Sequence, residues 1–384
     1  MASQSPSLQS PVRPLPGDEP SGPAPGIGLC LSGGGYRAML FHLGALWRLN
    51  ELKYLPALSR ISSVSGGSIT AGVLGHKWGR LAFTDGVATR FGVEVVAPLR
   101  ALASRTLDVG DALKGLFLPG TAADHVADSY RTLLFGHSTL QDLPDAPRFV
   151  INATNVQSGV LWRFSKPYMW DWRVGKVEHP TIELAVAVGA SSAFPPVLSP
   201  ARLQLRDSDF VPGTGADLQK PPFTEEVFLA DGGVYDNLGL ETVWKEYDTV
   251  LVSDGGSATP PDPAPHTDWL RFTQRVIDLI DNQVRSLRKR QVIASYNSGD
   301  RHGTYWGITG HLADYHVDDP LPVPPDAAAV LAGWPTRLAA MPEDVQNRMI
   351  NWGYAICDAA MRRHVVSGAA PPAFPYPGAF TARS

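Results

Sequence analysis

The residue best suited to nucleophilic chemistry is Ser65, in the segment Ser63-Val64-Ser65-Gly66-Gly67. An apolar run precedes it and a small-residue helical segment follows it, which predicts a tight strand-to-helix turn at the serine. A nucleophile on such an elbow has an exposed hydroxyl, and the helix N-terminus behind it favours developing negative charge. The same segment also suits a plain helix N-cap, because Ser-Gly-Gly turns are common.

A second candidate feature is the glycine loop Gly33-Gly34-Gly35, which lies between an apolar run and a helical segment. Consecutive glycines allow backbone N–H groups to converge, so the loop can cradle a phosphate or stabilise an oxyanion. It lacks the Lys-Ser/Thr ending of a P-loop. Arg37, just inside the helix, is a candidate partner for an anionic substrate group, although a surface arginine is the commoner case.

Two carboxylates are candidates for the general base. Asp231 and Asp254 each end an apolar run and each precede Gly-Gly. An aspartate at the end of one strand can reach a serine at the end of a neighbouring strand and take its proton. Asp-Gly is also ordinary turn chemistry, and local sequence does not choose between the two positions.

Histidine is the obvious missing member of a catalytic triad. The chain has 10 histidines, among them His42, His125, His137, His302 and His311. None stands where a triad would place it after the serine and the aspartate, which argues against an α/β-hydrolase arrangement. His42 falls within the first helical segment, where a packed or surface histidine is expected.

The elements that must position these residues follow from apolar patterning. Five apolar runs bounded by turn residues predict strands at 27–31, 61–64, 148–153, 226–230 and 249–253. Helical spacing covers 36–49, 68–74, 123–135, 182–190 and 268–295. The last of these has an apolar stripe: Trp269, Phe272, Val276, Leu279, Ile280, Val284 and Leu287. The alternation of strands and helices predicts an α/β fold with a parallel sheet.

The chain divides into regions of different composition. Residues 1–26 are rich in Pro and Ser and predict a disordered arm. Residues 27–256 contain all the candidate site residues, with a helical insertion or lid at 76–145. Residues 257–370 predict a largely helical extension packed on the same domain, and 371–384 a loose tail.

Composition excludes several classes of protein. The 384 residues are 44% hydrophobic and 18% charged, which is a globular balance. A net charge of -4 gives no basic field for nucleic acid. Cys30 and Cys357 are too few for a disulfide framework or a thiolate metal site. With neither a secretory signal nor a spanning helix expected, a cytoplasmic location is predicted, and contact with a membrane surface stays open.

Taken together, these segments resemble the patatin-like phospholipase family. The resemblance rests on Ser32-Gly33-Gly34-Gly35-Tyr36-Arg37, on the Ser65 elbow, on Ala190 to Pro196, and on Asp231-Gly232-Gly233 with the following Val-Tyr-Asp-Asn. The first motif is also similar to that of the cytosolic phospholipases A. Ala38 and Ser63 depart from the pattern, since both stand where the family often has glycine, but both are small.

The resemblance implies a three-layer α/β/α fold with a central, mainly parallel sheet, and a Ser–Asp dyad. Ser65 is then the nucleophile and Asp231 the base, preferred to Asp254 because Val-Tyr-Asp-Asn follows it. Gly33, Gly34 and Gly35 form the oxyanion hole, and Arg37 holds a lipid phosphate. Ester hydrolysis would pass through an acyl-enzyme without metal or cofactor. The substrate implied is a phospholipid, a lysophospholipid or another lipid ester.

Two other functions stay open beside this hydrolase. A non-catalytic lipid-binding or signalling module would retain the fold without using the intact Ser65 and Asp231. A nucleotide-binding protein would use the glycine loop for phosphate and leave the elbow unexplained. The basic cluster Arg285, Arg288, Lys289 and Arg290 can meet anionic headgroups, although a solvated helix end is the expectation because Asp278 and Asp281 dilute it. No oligomeric state is predicted.

Overall fold

The computed structural model describes residues 23–107, 121–257, 259–369 and 372–380. Most of the predicted N-terminal arm, residues 1–22, lies outside the described residues, as do 371 and 381–384 of the predicted tail. The first strand begins at Ala24, within the last three residues of the segment 1–26 that was predicted as an arm. No helix in the described ranges is long and apolar enough to cross a membrane.

Most strands belong to one mixed sheet. The strands are β1 Ala24–Leu31, β2 Arg60–Val64, β3 Phe83–Thr84, β4 Val87–Ala88, β5 Arg148–Asn155, β6 Val160–Phe164, β7 Tyr168–Asp171, β8 Gly175–Glu178, β9 Ala201–Gln204, β10 Glu226–Asp231, β11 Tyr247–Asp254 and β12 His302–Gly307. The order along the sheet is β12-β11-β1-β2-β5-β6-β7-β8, with β10 pairing β5 and β9, while β3 and β4 form a separate hairpin. Strands β12, β11, β1, β2 and β5 are parallel, and the rest of the large sheet is antiparallel.

Helices cover both faces of the parallel strands. They are α1 Gly35–Glu51, α2 Gly66–Lys77, α3 Ala97–Ala103, α4 Ala122–Tyr130, α5 Leu184–Ser191, α6 Gly233–Asp236, α7 Glu241–Trp244, α8 Trp269–Ser298, α9 Ala327–Ala332 and α10 Glu343–His364. Successive strand residues point to opposite faces. In β1, Leu29 and Leu31 therefore join the main core with α1, α2 and α10, whereas Cys30 packs on the other face with Val243 of α7 and Val292 of α8. The predicted α/β/α layering is confirmed.

The C-terminal region is more closely integrated than its predicted role as a helical extension. It supplies β12 to the sheet, in parallel register with β11. It also supplies α10, which buries Met349 and Ile350 against α1. Part of the predicted loose tail is packed as well, because Asn351 and Tyr376 exchange two hydrogen bonds that hold segment 372–380 on α10.

In its described residues, the predicted insertion at 76–145 contains helices α3 and α4 and also the β3–β4 hairpin. Residues 108–120, which belong to the predicted lid, lie outside the described part of the chain. Tyr130, at the end of α4, is fully buried, and its pKa is raised by burial and by the nearby carboxylate of Asp231. The insertion therefore reaches the neighbourhood of one candidate site residue, and its role as a lid stays a prediction.

Candidate functional site

Ser65 occupies a strained turn between β2 and α2. Its φ and ψ are 51° and −120°, a conformation that non-glycine residues rarely adopt and that marks functional sites. Its backbone N–H donates to Ser191 Oγ at 3.0 Å, and its carbonyl accepts the N–H groups of Ser68 and Ile69. The predicted elbow is present, and its side chain is only partly buried.

The backbone crowding around the elbow explains its glycines. A Cβ on Gly66 would lie 2.2 Å from the carbonyl oxygen of Gly35, and one on Gly67 would lie 2.5 Å from that of Leu31. Both contacts are with backbone and cannot be relieved by rotating a side chain. Glycine is therefore required where the elbow passes the glycine loop.

We expect Gly66→Ala to destabilise the protein by about 2 kcal/mol or more, because the added methyl group must displace the Gly35 carbonyl. Denaturant unfolding measures this loss. The matched control is Gly79→Ala, where the new Cβ meets no atom within 4 Å. Equal stability of the two variants would show that the elbow and the loop are not in contact.

Buried serines support the elbow from below. Ser68 Oγ lies 3.0 Å from Ser63 Oγ and 2.9 Å from Ser191 Oγ, and Ser191 Oγ donates to the carbonyl of Asn152 at 2.6 Å. Ser63, which stands in place of the usual elbow glycine, is thus accommodated and hydrogen-bonded. Ser191 was not predicted to have a role, although it belongs to the segment Ala190 to Pro196 on which the resemblance rests.

Asp231 ends β10, and its carboxyl group is close enough to Ser65 for that hydroxyl to lower its pKa. It is 2% exposed. Oδ1 accepts the Gly233 N–H at 2.7 Å, while Oδ2 is buried without a completed hydrogen bond. Burial raises the pKa of Asp231 to about 7, opposed by the Gly233 N–H and by the hydroxyl of Ser65, and assisted by the charge of Asp281. The Ser65 hydroxyl is therefore near enough to affect the pKa of this carboxyl group, although Oδ2 itself has no hydrogen-bond partner in the described residues.

Asp254, the competing candidate, has both oxygens engaged elsewhere. Oδ1 accepts the Gly256 N–H at 2.9 Å and lies 3.7 Å from Arg285 Nη1. Oδ2 accepts the hydroxyl of Tyr305 at 2.6 Å. Asp254 is thus a structural anchor between β11, β12 and α8, in contrast to Asp231 with its free oxygen.

The glycine loop lies directly beside Ser65, but its three glycines are not equivalent. The Gly33 N–H donates to both the backbone carbonyl and Oδ1 of Asn237, each at 3.1 Å. This corrects its predicted place as an oxyanion donor. Gly33 is instead needed for its lack of a side chain, because a Cβ at this position would lie 2.4 Å from Asn237 Oδ1 and 3.2 Å from Ser65 Cβ.

Three other N–H groups close to the elbow are free of acceptors in the residues that the structure describes. They belong to Gly34, Gly35 and Gly66. Gly34 and Gly35 have φ values of 139° and 59°, which turn successive amides in directions that other residues resist. Free backbone donors of this kind are suited to an oxyanion. Gly66, the residue after the serine, was not among the predicted donors.

Asn237 and Asp281 complete the surroundings of the aspartate. A Cβ on Gly233 would lie 3.0 Å from Asn237 Oδ1 and 3.1 Å from Asp231 Oδ1, so the amide lies between the two loops. Asn237 Nδ2 in turn donates to Asp281 Oδ2 of α8 at 3.2 Å. Burial raises the pKa of Asp281 to about 6, while Arg285 and Asn237 lower it. Neither residue was predicted, although Asn237 ends the quoted Val-Tyr-Asp-Asn.

Arg37 is not placed as the sequence predicted. Its side chain is buried beneath the glycine loop, where Nε donates to Gly255 O at 3.1 Å and Nη1 to Trp334 O at 2.6 Å. Burial and, to a lesser extent, the charge of Arg285 lower the pKa of its guanidinium to about 10, while Asp254 acts in the opposite direction. A guanidinium tied to two backbone carbonyls positions the loop, and this geometry does not support the predicted phosphate contact.

His42 is a packed core residue. Its Nδ1 lies 2.8 Å from Ser253 Oγ and its Nε2 2.9 Å from Ser32 O, so neither ring nitrogen is available. Burial lowers its pKa to about 4. Across 23–107, 121–257, 259–369 and 372–380, no group of three or more His, Cys, Asp or Glu side chains is arranged to hold a metal ion.

The fold and this geometry define an α/β protein with a serine elbow, a glycine loop and a buried carboxylate at one end of its parallel strands. A family model for the patatin-like phospholipases matches residues 29–244. The chain belongs to the patatin-like phospholipase family. No curated protein matches it significantly.

Solved structures give more distant likenesses. Human GIVD cytosolic phospholipase A2 matches with a TM-score of 0.49 at 12% identity, over 87% of this chain and 61% of that one. The same enzyme in complex with methyl γ-linolenyl fluorophosphonate gives 0.47 and 14%, over 87% and 57%. VipD from Legionella pneumophila gives 0.37 and 17%, over 89% and 67%. The chain thus spans less than two thirds of the phospholipase A2 chains that it matches.

Proposed function

We propose that this protein is a serine acyl hydrolase that releases fatty acids from phospholipids or lysophospholipids, with Ser65 as nucleophile and Asp231 as general base. The observation that carries the proposal is the buried, unpartnered Oδ2 of Asp231 next to the strained Ser65 elbow. The family membership supports lipid ester as the substrate class.

In the acylation step, Asp231 takes the Ser65 proton while Oγ forms a bond to the ester carbonyl carbon. An aspartate of ordinary pKa would be a poor base for a hydroxyl, and the raised pKa of Asp231 makes it a stronger one near neutral pH. Collapse of the tetrahedral intermediate breaks the ester bond. Asp231 returns the proton to the leaving alcohol, and the acyl group stays on Ser65.

The negative charge of the intermediate would be held by the free N–H groups of Gly34, Gly35 and Gly66. A single such donor is typically worth about 3 kcal/mol of the activation barrier. In the second step, a water molecule loses its proton to Asp231 and attacks the acyl carbon. Fatty acid is released and Ser65 regains its proton from Asp231, which restores the starting state.

The direct experiment is an assay of fatty-acid release from phosphatidylcholine and lysophosphatidylcholine, together with labelling by a fluorophosphonate probe. Release and labelling by the wild-type protein support the proposal. A folded protein that binds these lipids without turnover or labelling would instead be the non-catalytic lipid-binding module.

The pH dependence gives a second test. Asp231 must be ionised to act as base, so kcat/KM on a monomeric ester is expected to rise with pH through about 7. One pH unit below that value only about a tenth of the carboxylate is ionised, and the rate falls in proportion. A profile that stays flat from acid to neutral pH contradicts Asp231 as the base.

The variant Asp281→Asn sharpens this test. Removing the negative charge of Asp281 lowers the pKa of Asp231, so the acid limb of the profile is expected to move to lower pH. The asparagine oxygen can still accept from Asn237. Asp300→Asn, which changes an exposed carboxylate just beyond α8, is the matched control and should leave the limb in place.

A further inference from the structure

Helix α8 exposes an apolar stripe along much of its length. Of the thirteen large hydrophobic side chains exposed in the described residues, seven lie on this one helix. Trp269 is 78% exposed, Ile280 58% and Leu287 59%. We call the outward row the outer stripe; it consists of Trp269, Phe272, Val276, Leu279, Ile280 and Leu287. The sequence predicted this stripe but not that it would face away from the core.

Between residues 281 and 288 the inward face of α8 is largely polar, and its buried apolar contact is made further along the helix by Val292. Asp281 meets Asn237, Arg285 meets Asp254 and the carbonyl of Ser257, and Arg288 meets Asp236 and Glu241. In a water-soluble domain a surface helix normally presents the opposite arrangement, with apolar residues inward. An exposed apolar row of this length marks a surface that another phase or partner covers.

The charges on α8 indicate what covers it. The helix has six Arg or Lys residues and two Asp residues, in a chain whose net charge is -4. Arg275, Lys289 and Arg290 form no ion pair with a carboxylate within the described ranges. Trp, Phe and Leu on one side with flanking cations is the pattern of a helix that lies in a membrane interface.

We propose that the outer stripe of α8 docks the protein onto an anionic phospholipid surface, an inference that rests on the proposed lipid hydrolase function. The helix links that surface to the site. Ile280 points outward, while the next residue, Asp281, is hydrogen-bonded to Asn237 beside the glycine loop. Since a helix with its side chains is about 10 Å across, docking brings lipid close to Ser65.

Other exposed apolar side chains extend the same surface around the aspartate. Val234 is 49% exposed on α6, which packs on α8. Phe194 and Val197 are 38% and 51% exposed, directly after Ala193, whose carbonyl accepts the Asp231 N–H at 2.8 Å. Val234 and Phe194 thus place exposed apolar side chains close to the buried base, where an acyl chain leaving the bilayer would arrive.

The test is flotation of the protein with vesicles of phosphatidylcholine, alone or with phosphatidylglycerol. The double variant Phe272→Gln/Leu287→Gln keeps good helix propensity and removes two apolar side chains that are 51% and 59% exposed. About half of each side chain is still exposed and can enter the lipid, so each contributes about half of its transfer free energy to membrane binding. Without these two contributions, partitioning onto vesicles is expected to fall at least about tenfold. Val93→Gln, at a side chain that is 68% exposed and far from α8 in sequence, is the matched control and should bind like wild type.

A second measurement is the quenching of tryptophan fluorescence by lipid, compared between the wild type and a variant with one conservative substitution. Brominated lipid is expected to quench tryptophan fluorescence in the wild type and to quench less in Trp269→Phe, which loses the outermost residue of the stripe. Lys289→Gln/Arg290→Gln should weaken binding to vesicles with phosphatidylglycerol more than to phosphatidylcholine alone.

Three results would overturn the docking proposal: equal vesicle binding by the stripe variant and wild type, absence of quenching at Trp269, or a dimer in sedimentation that the stripe variant dissociates, since a second copy would then cover the stripe. Each is distinct from failure of the hydrolase proposal. That failure is a wild-type protein that neither labels with fluorophosphonate nor turns over a monomeric ester in solution, whatever it does on vesicles.

Discussion

Replacing Ser65 with alanine is expected to lower kcat on a monomeric ester by at least about 10⁴-fold and to abolish fluorophosphonate labelling. No other hydroxyl combines a strained elbow with contact to the glycine loop and an unpartnered carboxylate in the described chain. In the proposed mechanism, removing Oγ removes the atom on which the acyl-enzyme forms. Stopped-time ester assays and gel detection of the labelled protein measure the two effects.

The control for this variant is Ser208→Ala, in an exposed turn far from the elbow in sequence. It should label and turn over as the wild type does. Because alanine tolerates the backbone of Ser65 no worse than serine does, thermal unfolding of Ser65→Ala should stay close to wild type. Fatty-acid release that persists in a folded Ser65→Ala protein would assign the chemistry to another residue.

Replacing Asp231 with asparagine is expected to lower kcat/KM by about 10³-fold or more while making the protein more stable at alkaline pH. The amide keeps an oxygen for the Gly233 N–H but cannot accept the serine proton. The stability effect follows from linkage. The pKa of Asp231 is raised from 3.8 to about 7, so the buried charge destabilises the wild type progressively as pH rises through that range. The variant has no charge at this position, so above a pH of about 7 its free energy of unfolding is expected to exceed that of the wild type by an amount on the order of a few kcal/mol.

Asp254→Asn is the matched comparison, because it changes the other Asp-Gly-Gly aspartate. The charge of Asp254 is paired with Arg285, so the substitution leaves the buried guanidinium of Arg285 without this carboxylate. We expect the free energy of unfolding to fall by about 3 kcal/mol. The folded fraction should still label with fluorophosphonate. The reverse pattern, with a stable inactive Asp254→Asn and an active Asp231→Asn, would exchange the roles of the two aspartates.

The parallel core of the fold could be predicted because its strands are short apolar runs that end in turn residues. The parallel strands β1, β2, β5 and β11 all have this form and are present, and so is β10, which has the same form but runs antiparallel to β5 and β9. The antiparallel strands β6, β7 and β8 were not predicted, since each has only four or five residues with mixed side chains. The same holds for β12, whose sequence His-Gly-Thr-Tyr-Trp-Gly becomes a strand only because β11 offers it an open edge.

The site could be predicted where the chemistry follows from backbone geometry. A serine elbow, glycines and an aspartate at the end of a strand are recognisable from local sequence and from the family motifs. Contacts between distant segments are not. Asp281 reaches Asn237 only because α8 folds back over the loops, and Gly33 differs from its neighbours only because Asn237 takes its N–H.

Arg37 shows that contacts between distant segments can also overturn a prediction made from local sequence. An arginine in the first turn of a helix, beside a glycine loop, has the sequence of an anion site. Its acceptors are instead the carbonyls of Gly255 and Trp334, from segments more than two hundred residues further along the chain. Burial against such partners is decided by packing, which no local pattern records.

The contact between the glycine loop and the C-terminal region has a consequence for synthesis. The carbonyl of Arg337 accepts the N–H of Tyr36, and the Trp334 carbonyl accepts Arg37, so the loop next to Ser65 takes its shape from late residues. A nascent chain still on the ribosome carries the serine and the aspartate long before that brace is translated. In the proposed hydrolase, competence would thus be acquired only after residues 334–337 have been translated, and proteolytic loss of that segment would abolish it.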